Sequence, residues 1–122
     1  VSLLIVVAAA ALGCGGTRVP ELGPGEPASY AVHLEPVVLK RCLSCHTAEE
    51  PKAGLVLEAG RGWQSLVGLS SAQVPAMQLV EPGSLEESYL WLKLDHAAPV
   101  GDGMPQTLFG AKRLPAAELE RF

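Results

Sequence analysis

Cys42-Leu43-Ser44-Cys45-His46 places two thiols and an imidazole close together in the chain. On one helical turn, thiols at i and i+3 face the same way. Both can therefore add to the two vinyl groups of one haem as thioethers, and the imidazole of His46 meets the iron from the same face. Covalent attachment of this kind lets a small domain keep its haem with few other contacts. Three other chemistries use parts of the same set. A thioredoxin-type C-x-x-C sits in a strand–helix–strand context, and nothing around Cys42 reads that way. A structural zinc site takes four ligands; Cys42, Cys45 and His46 supply three, and no second Cys or His pair follows at a regular interval. A disulfide between Cys42 and Cys45 would be strained and would leave His46 without a role.

The motif needs a helix to deliver it, and the residues before it are suited to one. Tyr30 to Arg41 is expected to be helical, with Pro36 starting or kinking the helix. Val32, Val37 and Leu39 supply its apolar side, and Lys40 and Arg41 fill its last turn. Ala53 to Leu57 reads as an extended or irregular segment. Trp63, Leu66 and Val67 stand at i, i+3 and i+4, which predicts a short helix with Trp63 on its buried face. Glu81-Pro82-Gly83 is a turn, and Ser84 with Glu87 forms the S-x-x-E capping box expected to open the next helix. Leu85, Tyr89 and Leu92 line one face of that helix, Leu90, Trp91 and Leu94 widen the stripe, and Pro99 with the glycines beyond it stops the helix. Leu114 to Phe122 begins a last helix, with Pro115 in its first turn and Leu119 and Phe122 on an apolar face. Because no cap or stop signal follows, this helix is expected to be cut short.

Length and composition bound the rest. A chain of 122 residues allows one domain. With 48% hydrophobic and 18% charged residues it is not of disordered composition. The net charge of -4 gives no basic footprint, so nucleic acid is not an expected partner. Three cysteines, an odd number, suit a disulfide scaffold poorly. No internal repeat, P-loop, G-x-G-x-x-G or nucleophile elbow is present. The paired charges Lys40/Arg41, Glu49/Glu50 and Glu86/Glu87 read as solvated faces. Aromatic residues make up only 5% of the chain, a thin supply for a core.

The apolar residues crowd the start. Val1 to Leu12 has Ser2 as its only polar residue, and as a helix it would rise ~18 Å against a hydrocarbon core of ~30 Å. That length suits the apolar region of a secretory signal, although the charged region that should precede it is missing and the start is expected to be truncated or misplaced. The run closes on Ala11-Leu12-Gly13-Cys14, which resembles a bacterial lipoprotein signal. The usual leucine three positions before the cysteine is Ala11 here, with Leu12 one place later. The resemblance implies export, lipidation of Cys14 and anchoring on the periplasmic side of a membrane. Residues 1–14 are then the leader, and residues 15–28, rich in Gly, Pro and Glu, a flexible tether.

From Ser29 to Phe122 the chain resembles the small monohaem cytochrome c family. Leu79-Val80-Glu81-Pro82-Gly83, then Ser88-Tyr89-Leu90, then Met104-Pro105 are similar to a subset of bacterial secreted members, a more specific match than C-x-x-C-H alone. The resemblance implies an all-α domain, residues 29–122, wrapped around one covalently attached haem c, with the terminal helix packed on the helix before the motif. Cys42 and Cys45 would hold the porphyrin and His46 would be the proximal iron ligand. Met104, in Gly101-Asp102-Gly103-Met104-Pro105, would be the second axial ligand. Glycines let that loop approach the haem face and Pro105 fixes the backbone after it. His/Met ligation raises the iron's potential. With both axial positions filled, the implied function is single-electron transfer between redox partner proteins rather than enzymatic chemistry. Competing ligands are Met77, better read as a core gap-filler; His33, a surface or packing residue on the helix before the motif; and His96, suited to the carbonyl end of its helix. The alternatives are a haem enzyme or a gas or peroxide sensor with an open or labile sixth position, and a haem-free metal-binding or thiol redox module. The porphyrin itself would stand in for the missing aromatic bulk.

Overall fold

The computed structural model describes residues 19–122. The leader, Cys14 and the start of the tether lie outside the described residues. Helices are the main regular elements, one of them a stretch of 12 residues, and the overall content of secondary structure is low. That stretch has two parts. A π-helical turn, Tyr30–Leu34, runs directly into α1, Glu35–Arg41. Pro36 lies in the first turn of α1 and explains the change of pitch: its nitrogen has no proton to give, and the Glu35 amide donates instead to the Tyr30 carbonyl. The expected start or kink at Pro36 is thus a widened turn ahead of it.

Three shorter helices follow: α2, Gly62–Leu66; α3, Tyr89–Leu94; and α4, Ala116–Leu119. The expectation of an all-α domain needs one amendment. β1, Gln106–Thr107, pairs antiparallel with β2, Gly110–Ala111, to make a small hairpin just after Met104.

Neighbouring residues of α1 feed two apolar clusters. Val37 packs with Leu94 and Leu114, and Val38 with Leu57 and Leu66; Leu90 and Phe122 lie against both groups. Helix α1 is therefore the spine on which α3 and the chain's last residues close. The packing of α4 against the helix before the motif follows the expectation, and polar contacts secure it. Arg41 donates from Nε to Glu118 Oε2 at 2.7 Å and from Nη2 to Oε1 at 2.9 Å, while Lys40 Nζ reaches Oε1 at 3.0 Å.

Three sequence expectations are corrected. Ser84 and Glu87 do not open a helix; Ser84 Oγ accepts the Glu87 amide at 3.3 Å within a turn, and α3 starts only at Tyr89. The amides of Tyr89 and Leu90 donate to the carbonyls of Gln78 and Leu79, each at 2.9 Å, so neighbouring chain competes for the donors of the first turn. Leu85 consequently lies before the helix and is exposed. Trp63 is not a core residue: it is 54% exposed and meets the Tyr30 ring edge-on, with centroids 6.1 Å apart. Leu66 alone of that predicted apolar trio is fully buried.

Candidate functional site

Cys42 follows the last turn of α1, its amide donating to the Val38 carbonyl at 2.8 Å. Two further turns follow at once, from the Cys45 amide to the Cys42 carbonyl at 3.2 Å and from the His46 amide to the Leu43 carbonyl at 3.1 Å. These bonds coil the motif so that both thiols and the imidazole face one space. Cys42 and Cys45 are free thiols. Burial, with Cys45 beside it, pushes the Cys42 thiol up to about 11, against the smaller opposing pull of Arg41.

His46 is 9% exposed, and its Nδ1–H donates to the Leu55 carbonyl at 3.3 Å. A carbonyl can only accept, so this bond puts the proton on Nδ1 and leaves the Nε2 lone pair free. Burial also pulls the imidazole below its ordinary pKa, partly offset by backbone hydrogen bonds, which favours the neutral form that binds metals. The segment from His46 to Leu57 is looped back by the Leu57 amide donating to the His46 carbonyl at 2.8 Å. That loop is what brings Leu55 to the ring.

The space these groups face is an open-mouthed cavity of about 290 Å³. Cys42, Cys45, His46 and Met104 all line it, with Leu55, Leu57, Leu79 and Leu94 among its apolar walls. That volume stands at the lower edge of the ~300–1,000 Å³ range of small-molecule sites. The residues fit a haem: paired thiols on successive turns, one buried imidazole with a free Nε2, a thioether in the same cavity, and apolar walls. Such a group would be held by Cys42 and Cys45, with His46 and Met104 as the available axial donors.

The competing ligands are elsewhere. Neither Met77, His33 nor His96 lines the cavity. His33 is buried, its Nδ1 accepting the Ser29 amide at 2.9 Å at the start of the helical stretch. Met77 closes a turn, its amide donating to the Val74 carbonyl at 2.9 Å. Among the described residues no group of three or more His, Cys, Asp or Glu side chains could hold a metal ion. No helix among them is long and apolar enough to cross a membrane.

Sequence reasoning missed the polar groups of the cavity wall. Tyr89, Lys93 and Gln73 all line it. Tyr89 Oη–H is shared between Gln73 Oε1 at 2.9 Å and the Val100 carbonyl at 2.6 Å. Lys93 is only 6% exposed; its Nζ donates to the Asp102 carbonyl at 2.9 Å and lies 5.3 Å from the centre of the Tyr89 ring. The available signal was a lysine four residues after Tyr89, inside an otherwise apolar stripe. No protein-family model, curated protein or solved structure matches the chain.

Proposed function

We propose that this protein is an exported monohaem cytochrome of the c type that carries single electrons between redox partner proteins. The observation that carries the reading is one cavity lined jointly by Cys42, Cys45, His46 and Met104. Cys42 and Cys45 hold the group by thioethers, His46 supplies the proximal nitrogen from Nε2, and Met104 supplies the sulfur of the sixth position. Bound haem contributes a one-electron Fe(III)/Fe(II) couple, and the chain contributes its ligands and its apolar walls. Leu55 fixes the tautomer of His46, and the leucines of the cavity keep water from the ring faces. A methionine and a histidine together leave no open coordination position, which favours transfer over substrate chemistry. The fold reading that goes with it is a cytochrome c-like domain over residues 29–122, with Cys14 as a lipid anchor on the periplasmic side of a membrane.

The thiol-redox reading has less support. Reactive thiols in C-x-x-C motifs have lowered pKa values, whereas the Cys42 thiol is pushed up to about 11. The test is the pyridine haemochrome spectrum of the chain produced with a cytochrome c maturation system. A c-type spectrum retained after denaturation supports the proposal; a colourless protein with two free thiols at Cys42 and Cys45 overturns it. A high-spin ferric spectrum that shifts on adding CO, cyanide or peroxide favours instead a haem enzyme or sensor.

A further inference from the structure

His96 has an unusual backbone for a histidine. It stands two residues beyond the end of α3 with φ of 56°, in the left-handed region. Glycine is the ordinary occupant of such a position after a helix, because a Cβ crowds the next carbonyl there. Histidine enters that region more readily than most non-glycine residues, and it persists there where the surrounding structure holds it in place.

The side chain of His96 reaches the Met104 loop. Its Nε2–H donates to the Met104 carbonyl at 3.2 Å. The ring also lies flush against Gly103, where a Cβ would stand within 2.6 Å of the ring's Cγ. The other backbone group of Met104 is held as well, its amide donating to the Lys93 carbonyl at 2.9 Å. Lys93 Nζ secures the preceding turn through the Asp102 carbonyl at 2.9 Å. Residue 104 is thus gripped through both its N–H and its C=O by the end of α3, and the grip on the C=O is the His96 ring.

We infer that His96 is a positioning residue that fixes Met104 in the cavity as an iron ligand, an inference that rests on the haem reading above. It touches neither thioether nor iron; it acts through the backbone of Met104. Without the ring the Met104 carbonyl loses this donor, while the Pro105 carbonyl beyond it stays bonded to the Lys112 amide at 2.9 Å, and the methionine would exchange more readily with other ligands.

His96→Gly tests this in the haem-loaded protein, because glycine relieves the left-handed backbone while deleting the ring. The denaturant midpoint should hold or rise. The methionine-to-iron charge-transfer band should weaken, and added imidazole should bind the iron about tenfold more tightly, the equivalent of one lost hydrogen bond. Gly103→Ala, which crowds the ring, should weaken the band in the natural chain and do little more in the His96→Gly background. An unchanged band and imidazole affinity in His96→Gly overturn the inference, as does a fall in global stability large enough to account for the loss. The haem reading is checked separately: the natural chain must show the band and Met104→Ala must remove it. If either fails, Met104 is not the ligand and the inference falls with it, while the haemochrome spectrum decides the haem itself; if both hold while His96→Gly is silent, only the positioning role falls.

Discussion

The Nδ1–H of His46 donates to the carbonyl of Leu55 at 3.3 Å, which ties the last residue of the C-x-x-C-H motif to the loop that returns from it. The acceptor is a backbone oxygen, so no side-chain substitution at residue 55 removes it. The hydrogen bond orients the ring and raises the basicity of Nε2, as outer partners of metal-bound histidines do. His46→Ala should therefore abolish axial nitrogen ligation while leaving both thioethers possible. Added imidazole should restore a low-spin spectrum in part, since the cavity keeps the space of the lost ring. Electronic absorption with and without imidazole checks this, and a low-spin His/Met spectrum in His46→Ala alone would count against His46 as ligand.

Cys42 and Cys45 should each carry one covalent bond to the porphyrin. Alanine at either position leaves one thioether, and alanine at both leaves none. Haem staining on a denaturing gel should fall in the single variants and vanish in the double. Cys42 packs against the cluster of Val38, Leu57 and Leu66. Its replacement should also lower stability more than that of Cys45, which a thermal melt of the two variants resolves.

Met104 and Met77 separate cleanly. Met104 lines the cavity, and Met77 sits in a turn outside its lining. Met104→Ala should erase the methionine-to-iron band and open the iron to cyanide, whereas Met77→Ala should leave band and cyanide affinity as they are. Visible spectra of the two ferric variants decide it.

Leu94 is 1% exposed and joins Val37 and Leu114 in one apolar cluster while also lining the cavity. Truncation to alanine removes contacts to α1 and part of the cavity wall together. A buried leucine-to-alanine change costs about 2–5 kcal/mol, a large fraction of the ~5–15 kcal/mol of a typical domain. Leu94→Ala should therefore lower the denaturant midpoint of the haem-loaded protein sharply. The exposed Leu108, at the tip of the hairpin, should tolerate the same change with almost no effect.

Much of this arrangement is legible in the sequence, for identifiable reasons. The helix before Cys42 is announced by Val37 and by Pro36 in its first turn, both local signals, although Val32, expected on its apolar side, is exposed. Met104 could be paired with the motif only through a resemblance, because spacing alone does not bring residues this far apart into one cavity. The start of α3 falls later than Ser84 and Glu87 suggest, because their signal is local, while bonds from Tyr89 and Leu90 to residues 78 and 79 are long-range and leave no trace in the spacing. Trp63 was misplaced because helical periodicity gives a stripe but not its breadth. The left-handed backbone of His96 was hidden, since histidine does not advertise such a position as glycine does.

Glu118 links pH to the docking of the last residues on α1. Its hydrogen bonds from Arg41, helped by Lys40, hold the carboxyl below the usual glutamate value of ~4.3, despite a smaller opposing effect of burial. The side chain is 17% exposed, and its partner Arg41 is 33% exposed, so solvent screens the pair only in part. A carboxyl with a lowered folded-state pKa stabilises the fold fully above its unfolded value. The contribution declines as pH falls below about 4.3 and is gone once the folded-state carboxyl is itself protonated. Glu118→Gln should cost about 1 kcal/mol at neutral pH, the upper end of the range for ion pairs that solvent screens. Between pH 4.3 and more acid conditions the natural chain should lose stability faster than the variant, and the two should converge. Denaturant melts of both proteins at pH 7 and across the acid range measure this. A constant gap between them at every pH would show that Glu118 contributes through packing and not through its charge.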